Sequence, residues 1–308
     1  MKGDKKMGRN LKYQFLNAIN NCFKEGMDKH SIKASGQMDG TRIFSYADRK
    51  NLVDTASNFS NYLKSNYPDV KMLKDIKPEH VQSFLNSKSG SCSDATLKQY
   101  QNKFNKLQNV VNNTYNINVN FKGAIAPHGS NATKIRNSSM SKIDFKKLEN
   151  SFSNSKSSAK TAIQITAKAG LRVGECVKLK GKDINIQGGT VHVHGGKGGR
   201  DRDVKIRPED KKFWSDLKAS VRANERICPV NKDSINKAIR REMEKLDIQD
   251  KYRDTGIHCI RKMYAQQQFD HYREQGMEIK EALGQVSEDL GHSDTRIELM
   301  KEYVLNIY

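Results

Sequence analysis

A chain of 308 residues has room for two ordinary domains or one large one, and a hydrophobic share of 35% suffices for small cores. Lys and Arg number 55 against 35 Asp and Glu; the net charge of +20 favours a polyanionic partner, nucleic acid before anionic membrane, since neither end carries a basic helix with a strong apolar face. A membrane span needs about eighteen apolar residues in a run; none occurs, and the stretch after the basic start is too polar for a signal-peptide core. The five cysteines are odd in number and never spaced C-x-x-C, so neither a disulfide framework nor a zinc site is indicated, and a reducing cytoplasm fits.

Residues 1–10 read as a disordered basic tip. Apolar residues at helical spacing follow in Leu11, Phe15, Ala18, Ile19 and Phe23, and residues 30–42 are turn-rich. A second helical pattern runs from Tyr46 to Tyr67, a third opens at Pro78, and Ser93 is placed to cap a fourth carrying Leu97, Tyr100, Phe104, Leu107 and Val110. Together they predict a small helical module over residues 1–115, with Lys, Gln and Asn faces suited to phosphate contacts or to plain solvation. Residues 116–140, rich in Asn, Gly and Ser, read as an interdomain linker.

The second half, residues 141–308, is patterned differently. Helices are expected over 141–152 and 161–168, the second broken at Gly170, and Arg172 opens another with Glu175 one turn in. A guanidinium beside unpaired backbone N–H groups is a place to hold phosphate, although a surface ion pair is the plainer reading. Three alternating runs at 183–187, 190–194 and 202–206, separated by glycines, predict a small antiparallel sheet with Lys197 at a Gly-flanked tip. Lys197 is followed by Gly198, so the Ser/Thr of a nucleotide-binding phosphate loop is missing. Helices over 208–221 and 233–246 precede the stretch around which the chain is organised: His258 and Arg261, three apart and so on one helical face, then Leu290-Gly291-His292, then Tyr303.

Taken in order, Gly170-Leu171-Arg172-Val173-Gly174-Glu175, Gly196-Lys197-Gly198, His258 to Arg261, Leu290-Gly291-His292 and Tyr303 resemble the tyrosine recombinases of phages and conjugative elements. The resemblance covers the second half; the first half is similar only in being a helical module where the family has its SAM-like core-binding domain. It implies a mainly α fold with a small antiparallel sheet in two domains. It also implies a site-specific recombinase that cuts and rejoins DNA through a 3′-phosphotyrosine and exchanges strands by way of a Holliday junction. Integration or excision of a mobile element follows from the same likeness.

The implied roles are Arg172, Arg261 and His292 as donors to the scissile phosphate, His258 as an acid–base helper and Lys197 as the general acid. Tyr303 is then the nucleophile and Glu175 a support for Arg172 or its helix. The family sets its tyrosine nine residues after the L-G-H histidine, where this chain has Lys301; Tyr303 stands two further on, with Tyr308 as the alternative nucleophile and Tyr264 expected in the core. No cofactor, metal ligand or ATP is implied. The expected partners are double-stranded DNA, further copies of the chain in a tetramer on two sites and a directionality factor, at a nucleoid-associated cytoplasmic location. A type IB topoisomerase-like activity and a non-catalytic DNA-binding regulator remain the alternatives.

Overall fold

The computed structural model of the chain describes residues 10–27, 29–130, 138–195, 201–252, 255–294 and 296–308, so the expected basic tip lies outside them but for Asn10. Two compact units divide the chain, Met1–Thr133 and Lys134–Tyr308. No helix among the described residues is long and apolar enough to cross a membrane.

The first unit is helical: α1 (Leu11–Cys22), α2 (Lys29–Ala34), α3 (Tyr46–Asn66), α4 (Pro78–Lys88) and α5 (Asp94–Tyr115). Ser45 and Ser93 cap α3 and α5 by accepting from the N–H groups of Asp48 and Thr96, satisfying donors a helix start leaves free. Apolar stripes meet in a core where Phe59, Phe84 and Phe104 touch edge to face with centroids 4.9–5.6 Å apart. The turn-rich reading of residues 30–42 omitted the short α2. The stretch read as a linker also begins inside this core, with Val119, Phe121 and Ala124 buried. Asn112 and Gln108 on α5 hold it there, their side-chain oxygens accepting from the N–H groups of Val119 at 2.9 Å and Phe121 at 2.7 Å.

The second unit begins with α6 (Lys142–Ser151), α7 (Ser158–Ala169) and the single turn α8 (Val173–Cys176). An antiparallel sheet in the order β1-β2-β3 follows, from Ile184–Asn185, Thr190–Val193 and Arg202–Lys205, with His192 opposite Asp203 and Val193 opposite Arg202. Then come α9 (Lys211–Ala219), α10 (Lys232–Lys245), α11 (Gln249–Tyr252), α12 (Ile257–Glu274), α13 (Ile279–Asp289) and α14 (Ile297–Met300). Cys259, Ile260 and Met263 of α12 join the main core with α7 and α10, whereas Tyr264, Ala265 and Phe269 join a second cluster with α13, Met300 and Val304. One helix therefore anchors both halves of the unit, and its first turn bears the H-x-x-R residues.

Candidate active site

Glycine geometry aims that first turn. Gly256 precedes α12 at φ 53°, ψ −132°, and a Cβ there would lie 2.6 Å from Asn236 Oδ1, which accepts the Ile257 N–H at 3.3 Å. From this start His258 and Arg261 face one cleft. Gly170 ends α7 at φ 61°, and its carbonyl accepts a hydrogen bond from Arg261 Nη1; Arg261 Nη2 donates to the Leu290 carbonyl at 2.6 Å. One buried guanidinium thus ties the G-L-R, H-x-x-R and L-G-H segments together. Burial pulls the pKa of Arg261 down to about 10, still far above neutrality, and the nearby Arg172 charge acts in the same direction.

Beneath it sits Glu175. Its carboxylate accepts from Arg172 Nη1 at 2.8 Å and the Arg172 backbone N–H at 2.9 Å, and from both Nη atoms of Arg202 at 3.1 and 3.0 Å; Arg261 Nη1 lies 4.0 Å away. Burial alone would raise this carboxyl, but the hydrogen bonds and charge of Arg202, the hydrogen bond from the Arg172 backbone N–H and the charge of Arg261 hold it down at about 2. Arg202 is a site residue that sequence reasoning passed over as one position of a strand. Its contact with the L-G-H turn is as tight: a Cβ on Gly291, at φ 70°, would meet Arg202 Nη1 at 2.7 Å.

Arg172 Nη2 lies 2.8 Å from His292 Nε2. A guanidinium only donates, so Nε2 accepts and the ring N–H is on Nδ1. The backbone N–H of His292 donates to the Ser287 carbonyl and the Ser287 hydroxyl to that of Ser293, which fixes the turn. Tyr303 follows α14 and closes the cleft. Its ring centroid is 5.4 Å from that of His258, 6.0 Å from that of His292 and 5.7 Å from the Arg261 guanidinium carbon. Lys262 Nζ is 6.0 Å from the same centroid, and burial lowers its pKa. Arg172, His258, Arg261, His292 and Tyr303 therefore line one cavity of about 320 Å³, together with Asn236.

Tyr308 is placed elsewhere: its ring packs on Phe269 and its hydroxyl donates to Asp270 at 3.3 Å. Tyr264 is buried against Gly170, as expected of a core residue. Lys197 lies outside the described residues.

Residues 139–304 match the phage integrase family, more than half of the chain. The chain belongs to that family.

Among solved structures, its fold is similar to XerH site-specific recombinase bound to difH substrate in a pre-cleavage complex, at 18% identity and TM-score 0.61, covering 99% of this chain and 96% of that one. A lambda integrase tetramer bound to a Holliday junction matches at 16% identity and TM-score 0.57, over 88% and 76% of the two chains. The Tn1549 transposon integrase in complex with transposon right end DNA matches at 12% and 0.58, over 96% and 95%. No curated protein sequence matches this one. The family member is a tyrosine recombinase of mainly helical fold with a small antiparallel sheet.

Proposed function

We propose that this integrase-family protein breaks and rejoins DNA at specific sites with Tyr303 as nucleophile, and so integrates or excises a mobile element. The observation that carries the reading is the convergence of the Tyr303 ring with His258, His292, Arg172 and Arg261 on one cleft, away from Tyr308. A phosphate entering the cleft takes over the Arg172 Nη2 hydrogen that His292 now accepts, and Arg261 offers the N–H groups its two carbonyls leave unused. The Tyr303 oxygen attacks phosphorus, the phenol proton passes to His258, and the 5′ oxygen leaves with a proton from Lys197, giving a 3′-phosphotyrosine. Once Arg172 turns its hydrogen to the phosphate, the His292 ring carries its proton on Nε2 and donates it to the developing charge.

Since the new ester keeps the energy of the bond it replaced, a 5′-hydroxyl of another strand reverses the step without ATP. The arginines supply the positive charge that a metal ion would otherwise bring. Four protomers on two sites, by way of a Holliday junction, follow from likeness to the lambda integrase tetramer, and a directionality factor and a nucleoid-associated location accompany the same reading. The helical first unit then grips the duplex with its polar faces, residues up to the linker acting as the core-binding domain.

A nicked duplex carrying candidate element ends tests this reading. DNA that stays attached to protein in SDS without added metal or ATP, and that yields joined products from two sites, supports it. Relaxation of supercoils without joining indicates a topoisomerase-like activity, and binding without attachment indicates a regulator.

A further inference from the structure

At the root of the β2–β3 hairpin, outside the cleft, five side chains form a second cluster. His192 and His194 are two apart along the strand direction and project to one side, with ring centroids 4.4 Å apart. Asp201 faces both: its Oδ2 lies 3.4 Å from His192 Nε2 and 3.2 Å from His194 Nδ1, while Oδ1 accepts the Gly195 N–H at 2.6 Å. The other nitrogen of each ring meets a different carboxylate, His192 Nδ1 with Asp203 at 2.7 Å and His194 Nε2 with the buried Asp183 at 3.1 Å. One ligand atom each from His192, His194 and Asp201 all lie within 4.8 Å of one another.

From this geometry we propose that His192 Nε2, His194 Nδ1 and Asp201 Oδ2 bind one divalent transition-metal ion of the zinc type, with a fourth position left for water. A neutral imidazole has one N–H and one lone pair. If Asp203 and Asp183 take the N–H of each ring, two lone pairs turn toward the Asp201 carboxylate, a repulsion that either a second proton on the ring or a bound cation relieves. Ligand atoms in a tetrahedron around zinc, at about 2.0–2.1 Å from the metal, stand about 3.3–3.4 Å apart, the spacing seen from Asp201 to each imidazole. Asp203 and Asp183 then hold the rings from behind, the carboxylate–histidine–metal arrangement that fixes a ring's tautomer and raises its basicity. Three carboxylates gathered on a chain of net charge +20 suit such an ion. Bound there, it cross-links the end of β2 to the start of β3. None of its ligands lines the cleft, so the proposal stands apart from the assignment of the reaction.

The test uses the full chain, stripped with a chelator and titrated with Zn²⁺ by calorimetry and with Co²⁺ by visible absorption. Expected are one saturating site, the absorption bands of tetrahedral Co²⁺, and a Zn²⁺-dependent rise in the midpoint of thermal unfolding. His194→Ala and the exposed Asp201→Asn should each abolish the site, and Asp203→Asn should weaken it by about 10–100-fold. Circular dichroism of each metal-free variant checks the fold, and Asp201→Asn carries the test if His194→Ala is misfolded. No saturable site in the parent, or a site that survives Asp201→Asn in a folded variant, would overturn the proposal and leave only imidazolium–carboxylate pairs.

Discussion

Glu175 keeps its charge in the interior because three guanidiniums meet it there, and its loss would be felt by all of them. Its carboxyl is lowered from 4.5 to about 2, a gap worth about 3 kcal/mol of folding stability. The sign follows from linkage: the folded state prefers the ionised form, so the contribution is full above about pH 4.5 and drains away as pH falls toward 2. Glu175→Gln is expected to lower stability at pH 7 by about 3 kcal/mol in urea unfolding, with the gap to the parent closing in that acid window. It should also slow DNA attachment by about 100-fold, because Arg172 loses its anchor. Arg172, His258, Arg261 and His292 could be picked out of the sequence because weak motifs follow one another in the order the resemblance requires, and Tyr303 as the tyrosine nearest the expected position. Arg202 could not: its partnership with Glu175 arises when β3 pairs with β2 and turns its side chain under the L-G-H turn. The cluster of His192, His194 and Asp201 was hidden for the same reason, as alternation along a strand shows which residues share a face but not what stands across from them.

Among the elements, the long helices and the three strands were legible from periodicity and caps, and Gly170 from its place after an apolar helical run. The packing of Val119, Phe121 and Ala124 was not: Ile117, Val119 and Phe121 alternate with Asn118, Asn120 and Lys122 as a strand would, yet no strand forms there, and the core that receives them is built by distant helices. Gly256 shows what a single backbone position does for the cleft. In Gly256→Ala, a methyl group at that φ and ψ enters the space of Asn236 Oδ1, so the change should cost about 1–3 kcal/mol and tilt the first turn of α12. The measurement is unfolding stability alongside the rate of DNA attachment, and both should fall; unchanged values would show that the His258 and Arg261 positions do not depend on this turn.

For the whole molecule, charge and chemistry are separable. A net charge of +20 implies that phosphate contacts supply much of the affinity for DNA. If about 6–10 phosphates are contacted, binding should weaken by about 10³–10⁵-fold between 50 and 200 mM salt. Fluorescence anisotropy over that range measures it, and a flat salt dependence would count against DNA as the polyanion. Tyr303→Phe should leave this binding curve in place, since it removes one phenol oxygen and no positive charge.

That separation points to the most direct measurement: attachment of a nicked site to the parent, to Tyr303→Phe and to Tyr308→Phe, read as protein-linked DNA that survives SDS. The cleft geometry predicts an adduct with the parent and with Tyr308→Phe, and none with Tyr303→Phe at undiminished binding. An adduct that persists in Tyr303→Phe and vanishes in Tyr308→Phe would contradict it and move the nucleophile from the cleft to the segment packed along α12.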